Sequence, residues 1–344
     1  MKGMGATVGR FGWAVAVAGV LLGASGAAAD DGRIPRRVLD PLDQCPCWTG
    51  RAESLLLWRD APEGVPLFQP FDGGAGATVA PIDAAGFASD MAAGPRFTLF
   101  RHTGDSGAIE FNYFNVWDFN ASQAGTSPFP GSYLFADGVL CCAPFILFED
   151  VNATLTSTFQ SFEVNRRFPT DGRLQWLMGF RWVEWNDGLG LVGTSALSPQ
   201  PVAIATDTAN DLYGLQVGFD SFLWKSGRRF WIEGLGKAGL FYNDARQFTS
   251  ISSDLLTPPA AGGGTDVGRA AFVGELGVTG VWQVTDWLAL RTGWTAFWLA
   301  GLALAPNQLD GQCLVCEDKP VTQTTDTGGS AFVNGLTLGL EARW

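Results

Sequence analysis

The chain has 344 residues, a net charge of −12, 16% charged and 12% aromatic side chains, and a mean hydropathy of +0.12. Charge is scarcer than the roughly 25% of soluble domains, and beyond the N-terminus no apolar run approaches the roughly 20 residues of a membrane helix. So acidic a surface also argues against nucleic-acid binding, whereas many aromatics together with 45 glycines suit strands with one apolar and one polar face.

The N-terminus reads as an export signal over residues 1–29. Lys2 and Arg10 give the basic region, Phe11 to Gly23 the short apolar stretch, and Ala27, Ala28 and Ala29 a small-residue cleavage site. Residues 30–47 form a polar, proline-containing lead-in. The rest, 48–344, is expected to be one β-barrel domain.

Ten candidate strands follow, each bounded by turn residues: 48–59, 93–102, 107–119, 151–168, 173–185, 211–224, 228–242, 271–284, 287–300 and 331–344. Most exceed the 5–6 residues usual in soluble sheets and approach the roughly 9–11 of membrane strands. The last strand alternates cleanly. Leu336, Leu338, Leu340, Ala342 and Trp344 share one face, and Thr337, Gly339, Glu341 and Arg343 the other. The same period of two places Trp176, Met178, Phe180 and Trp182 opposite Gln175, Leu177, Gly179 and Arg181, and Tyr213, Leu215, Val217 and Phe219 opposite Gly214, Gln216, Gly218 and Asp220. Twelve strands are the alternative count, because the connections contain apolar runs at 133–135 and 144–148.

The connections alternate short and long. The long ones are 60–92, 120–150, 186–210, 243–270 and 301–330. Short periplasmic turns alternating with long outer loops predict an all-β fold, a transmembrane antiparallel up-and-down barrel in a bacterial outer membrane. Tryptophans sort to both ends of the strands, as interfacial girdles do. Trp224, Trp231, Trp282, Trp287 and Trp344 fall near the short-turn end, and Trp58, Trp182 and Trp298 near the other. Trp185 also lies toward the long-connection end. The long connections hold seventeen acidic and three basic side chains, so they carry essentially all of the net negative charge.

The candidate site is the barrel interior. Ten charges fall on inward faces: Glu110, Glu163, Arg181, Asp220, Glu233, Lys237, Glu275, Arg291, Glu341 and Arg343. They would line a pathway or fill the lumen with ion pairs. Disulfides are permitted in an exported chain. The cysteines form three close sets, Cys45 and Cys47, Cys141 and Cys142, Cys313 and Cys316. Adjacent cysteines bridge poorly, so pairing between the second and third sets is expected, with a four-thiolate metal site as the alternative. The single histidine, His102, falls at the short-turn side and is read as a turn or interface residue. With no histidine pair, phosphate loop or nucleophile elbow in view, no enzyme activity, cofactor or metal is assigned.

The run from Gly94 to Phe119, GPRFTLFRHTGDSGAIEFNYFNVWDF, resembles a bacterial family of exported barrels grouped as β-barrel porins. So do 161–189, SFEVNRRFPTDGRLQWLMGFRWVEWNDGL, and 210–245, together with WLALRTGWTAFWLAGLALAPNQ at 287–308 and the opening strand WTGRAESLLLWR at 48–59. The resemblance spans most of the mature chain and implies an outer-membrane barrel. It implies no reaction. The expected partners are outer-membrane lipid and the barrel-assembly machinery, the latter through the strand ending in Trp344. A narrow porin-like channel for small solutes or ions is the first functional expectation. The second is a surface-interaction barrel with a plugged lumen, whose acidic outer loops bind a partner or divalent cations.

Overall fold

The computed structural model describes residues 48–71, 80–103, 107–126, 133–135, 147–168, 174–195, 200–254, 260–309 and 324–344. Residues 1–47, where an export signal and a lead-in are expected, and all six cysteines lie outside these residues.

Thirteen strands are described: β1 (Trp48–Arg59), β2 (Pro66–Pro70), β3 (Ile82–Asp83), β4 (Ala92–His102), β5 (Ala108–Thr126), β6 (Tyr133–Phe135), β7 (Asp150–Arg167), β8 (Leu174–Thr194), β9 (Val202–Ser226), β10 (Phe230–Ser252), β11 (Ala260–Gln283), β12 (Leu288–Leu302) and β13 (Gly329–Arg343). Ten of them close an antiparallel barrel in the order β1-β13-β12-β11-β10-β9-β8-β7-β5-β4. The seam pairs the two ends of the barrel chain, with Leu56 opposite Leu336 and reciprocal backbone bonds between Trp48 and Trp344. Closure satisfies every strand edge, which a barrel in lipid requires. A Cβ at the inward Gly94 would run into the Asn115 carbonyl, so glycine is needed where the wall bends closely on itself.

The short turns between β9 and β10 and between β11 and β12 lie where the sequence places them, but two of the long connections are shorter than expected. β8 continues to Thr194 and β9 begins at Val202; β10 runs to Ser252 and β11 starts at Ala260. The wall is therefore tall from β5 to β11 and low at β1, β4, β12 and β13, whose strands have only 11–15 residues.

Alternation reverses its phase part-way up the tall wall. On β8, Trp176, Met178 and Phe180 face outward and are 42–52% exposed, while Arg181 faces in. Above Trp182 the outward positions become Glu184, Asn186, Gly188 and Gly190, and the inward ones Val183, Trp185, Leu189 and Leu191. On β9 the outward Tyr213, Leu215 and Val217 give way to Asp211 and Asp207, and the inward Gln216 to Leu212, Ile204 and Val202. Below the reversal the barrel is apolar outside and polar inside. Above it the barrel has the polar skin and apolar core of a soluble protein.

The lower zone is the membrane-spanning one. Outward Leu215, Leu240, Leu276, Leu338 and Leu340 are 47–76% exposed, a continuous apolar surface that only lipid accommodates. Its upper border is an aromatic row in strict register, Phe97–Tyr113–Phe162–Trp182–Tyr213–Tyr242, across six strands. Exposed Trp176, Trp224 and Trp282 mark the lower border. From Tyr213 to Trp224 the chain covers the roughly 9–11 residues that a tilted strand needs to cross a bilayer. Trp58, Trp298 and Trp344 are likewise exposed, and Trp287 is half-buried beside its turn.

Trp231 corrects the girdle expectation. It shares the inward parity of Glu233 and Lys237 along β10 and pairs with the buried Val281, so it is 1% exposed and its Nε1 donates to Glu233 Oε1 at 2.6 Å. Trp185 also points inside and is fully buried. In β5, Asp118 adopts φ 63° in a bulge between Val116 and Phe119, which returns Phe119 to the interior.

The extra strands do not enlarge the barrel. β2, β3 and β6 form a separate three-stranded sheet in the order β3-β2-β6. Its Leu67, Phe68, Ile82 and Phe135 pack on Val151, Leu155, Leu189, Leu191, Ile204 and Ile251, the inward residues of the tall wall. A second element joins them. Gly301, at φ 86° in a bulge at the end of β12, turns the chain inward, and residues 302–306 are all buried. Asn210, itself 0% exposed, clasps this segment by accepting from the Ala303 N–H at 2.7 Å and donating to the Ala303 carbonyl at 2.9 Å. Gln308 ties the same segment to Asp326. Together they form an apolar plug in the upper barrel.

Candidate functional site

Within the membrane zone the interior is filled by ion pairs. Strand periodicity sends Glu110 from β5, Glu163 from β7, Arg181 from β8, Lys237 from β10 and Glu275 from β11 toward the axis, and each is at most 6% exposed. Lys237 Nζ lies 2.7 Å from Glu163 and 3.4 Å from Glu110. Arg181 Nη1 lies 2.9 Å from Glu275 and 3.5 Å from Glu163, and Arg96 reaches Glu275 at 3.3 Å. Arg167 pairs with both Glu110 and Asp220. Amides complete the shell, with Asn165 and Gln216 both donating to Glu163, at 2.9 and 2.7 Å.

A second cluster lies toward the short turns. Arg291 contacts Glu341 at 2.8 Å, Glu233 at 2.9 Å and Glu53 at 3.5 Å. Glu341 also holds Arg51 at 2.8 Å and Arg343 at 2.5 Å. Across both clusters seven cations, Arg51, Arg96, Arg167, Arg181, Lys237, Arg291 and Arg343, meet seven carboxylates, Glu53, Glu110, Glu163, Asp220, Glu233, Glu275 and Glu341. This balance satisfies the buried charges without a counter-ion. A cavity of about 50 Å³ remains between the clusters, lined by Arg96, Asn112 and Arg291 among others. Among the described residues Arg96 Nε, Asn112 Oδ1 and Arg291 Nε are buried there without a hydrogen-bond partner, and the space suits a few water molecules.

An aromatic layer closes the axis above the charges. The rings of Phe114 (β5), Phe159 (β7) and Phe297 (β12) form a triangle with centroid separations of 4.8, 5.2 and 5.3 Å. β7 and β12 are diametrically opposed in the barrel order, so rings in contact leave no bore between them. The guanidinium of Arg96 faces this layer from the charged side, 5.4 Å from Phe114 and 5.6 Å from Phe297. Above the layer lies one further ion pair. Arg59 grips Asp187 through two bonds of 2.9 and 3.0 Å, stacks 5.1 Å from the Trp185 ring and bonds Ser157; Trp185 Nε1 also donates to Asp187 at 2.8 Å.

All ten charges named from the sequence thus point into the barrel. Reasoning from sequence missed Arg51, Glu53, Arg59, Arg96 and Arg167, although the first three share a face with Leu55 and Leu57, whose burial would have oriented them. Asp187, expected in a solvated outer loop, is 3% exposed in the interior. His102 lies at the short-turn end, its ring bonded to Thr49 Oγ1 at 3.0 Å and stacked on Phe100. Among the described residues no group of three or more His, Cys, Asp or Glu side chains is placed to hold a metal ion. The six cysteines and the acidic tips that include Asp72, Asp137, Asp310, Glu317 and Asp318 lie outside the described residues.

No family model and no curated protein matches this sequence. Among solved structures, the outer membrane protease OmpT from Escherichia coli is similar at 10% identity and a TM-score of 0.49, over 87% of this chain and 97% of that one. A Pseudomonas aeruginosa FadL homologue is similar at 11% identity and a TM-score of 0.22, over 87% and 89%. The Ralstonia pickettii toluene transporter TbuX is similar at 9% identity and a TM-score of 0.21, over the same shares. The fold assignment rests on this chain's own closed sheet and apolar belt.

Proposed function

We propose that this chain is exported to a bacterial outer membrane and serves there as a closed barrel, a rigid support for the surface it presents outside the cell. The observation that carries this reading is the contact between Phe159 and Phe297, 5.2 Å apart from opposite walls. A conducting path would have to pass that layer, the balanced ion pairs beneath it and the plug above it. Hydrophobic constrictions alone can exclude ions by dewetting. The narrow porin-like channel of the β-barrel porin resemblance is therefore the less favoured reading. Surface interaction fits better, because the tall wall of β8 to β11 rises well above the membrane zone with a polar outer face. Insertion through the assembly machinery, with the strand ending in Trp344 as its signal, belongs to the same proposal, as does pairing of the loop cysteines.

The test is single-channel recording of the mature protein in a planar bilayer, after heat-dependent gel mobility shows that it is folded and inserted. Electrical silence is expected. Discrete, reproducible conductance steps would overturn the closed-barrel reading and restore the channel.

A further inference from the structure

Beyond the upper aromatic row the outward face of the tall wall carries successive rows in register. The first above Phe162–Trp182–Tyr213–Tyr242 is Gln160–Glu184–Asp211–Asp244, stitched by Asn186 donating to Glu184 at 2.6 Å and Arg246 donating to Asp211 at 2.7 Å. The next two are Thr158–Asn186–Ala209–Arg246 and Thr156–Gly188–Asp207–Phe248. These two rows line a shallow groove of about 470 Å³ that is widely open along the outer face of the wall. They stand four to six residues up the strand from the aromatic row, roughly 10–15 Å after the usual strand tilt.

We propose that this groove seats the saccharide headgroup of an outer-leaflet glycolipid whose acyl chains lie on the apolar belt below. The inference rests on the outer-membrane reading above and names the partner of the surface that reading leaves open. Two observations carry it. First, the groove stands on the same strands as the lipid-facing belt, one polar row above its aromatic border, so a molecule anchored on Leu215 and Leu240 reaches it along the wall by crossing the Glu184–Asp211–Asp244 row. Second, its lining has the mixed chemistry that sugars require. Asn186, Asp207 and the half-exposed Arg246 offer an amide, a carboxylate and a guanidinium to hydroxyl groups and sugar phosphates. Phe248, 49% exposed, offers a ring face to the C–H face of a pyranose. Ala209 and Gly188 leave the floor open, since a Cβ at Gly188 would already stand 3.1 Å from Thr156 Oγ1 and 3.2 Å from Asp207 Oδ1.

The experiment uses the full mature chain in nanodiscs of phosphatidylethanolamine and phosphatidylglycerol, with or without rough-type lipopolysaccharide. Glycolipid retained per barrel is counted by native mass spectrometry after mild detergent transfer. The wild type should retain glycolipid over phospholipid. Asp207→Ala and Asn186→Ala should each lower retention about tenfold, the loss of one strong hydrogen bond, with partial recovery in Asp207→Asn. Glu63→Ala, an exposed carboxylate away from the groove, should leave retention unchanged. Equal retention by Asp207→Ala, Asn186→Ala and wild type would overturn the proposal, as would equal binding of the deacylated headgroup saccharide, which would make acyl anchoring irrelevant. Conductance of the same preparation is read in parallel. Silence with no glycolipid preference defeats the groove proposal alone, whereas conductance steps defeat the closed-barrel reading.

Discussion

The lower and upper halves of the barrel are built from the same strands with opposite rules. In the lower half Leu215 and Val217 face outward while Glu163, Arg181 and Lys237 fill the interior. In the upper half Thr156, Asn186 and Asp207 face outward while Leu189, Leu191, Ile204 and Phe68 fill it. The difference teaches where the solvent changes. Lipid reaches the wall up to the row of Trp182, Tyr213 and Tyr242, and water above it. On β8 the exchange takes four residues, Arg181 inward and charged, Trp182 outward and aromatic, Val183 inward and apolar, Glu184 outward and charged. The Phe114, Phe159 and Phe297 layer lies inside near that level, where the interior passes from ion pairs to the apolar plug.

Substitutions that respect one rule and violate the other should break this comparison most sharply. The largest effect is expected for Glu163→Ala, which takes the nearest carboxylate from Lys237 and the second from Arg181 and leaves the buried clusters with one cation in excess. Removing one partner of a buried pair costs about 3–5 kcal/mol, measured as a lowered urea midpoint in reconstituted protein. Phe159→Ala in the aromatic layer should cost a similar ~3–5 kcal/mol by cavity formation. Its conductance should stay silent, because the plug still closes the barrel above it. Leu215→Arg places a charge in the lipid belt, where the cost is about 2–4 kcal/mol at mid-membrane. Thr156→Arg, the same charge on the same outer face but above the reversal, should fall within about 0.5 kcal/mol of wild type. Near-equal costs for these last two would remove the distinction between the zones.

Much of the lower half was legible in the sequence, because a single alternation phase over Leu174 to Trp182 or Leu336 to Trp344 directly assigns lipid and lumen faces. The upper half was not. Its strands still alternate, but out of phase with the lower part, so each was cut near the point where the phase changes: β8 at Trp185, β9 at Asp211, β10 at Tyr242 and β11 at Ala271. Beyond those points the lower phase no longer fits and the sequence reads as loop, Asp187 included. A second signal was present, in Val183, Trp185, Leu189 and Leu191 on one parity and Ile204 and Leu212 on another, and it reads correctly once a strand is allowed to pass from lipid into water. The plug was less accessible still. Pro66–Pro70 and Tyr133–Phe135 are short apolar runs whose pairing is long-range, and only the clasp by Asn210 and the turn at Gly301 show that residues 302–306 fold back inside. The inward face of Trp231 is legible too, because the period of two that turns Glu233 and Lys237 inward includes it; nearness to a short turn alone does not place a tryptophan on the lipid face.

The measurement that tests the whole account most directly is a nitroxide scan along β8 from Met178 to Val192 in reconstituted bilayers, comparing collision with oxygen and with a water-soluble nickel complex. Even positions should collide with oxygen up to Trp182 and with nickel from Asn186 upward, while odd positions such as Val183, Trp185 and Leu189 should be reached by neither. Nickel access at the odd positions would mean an open, water-filled bore, and oxygen access persisting at even positions through Gly190 would mean that the wall never leaves the membrane where the reversal places it.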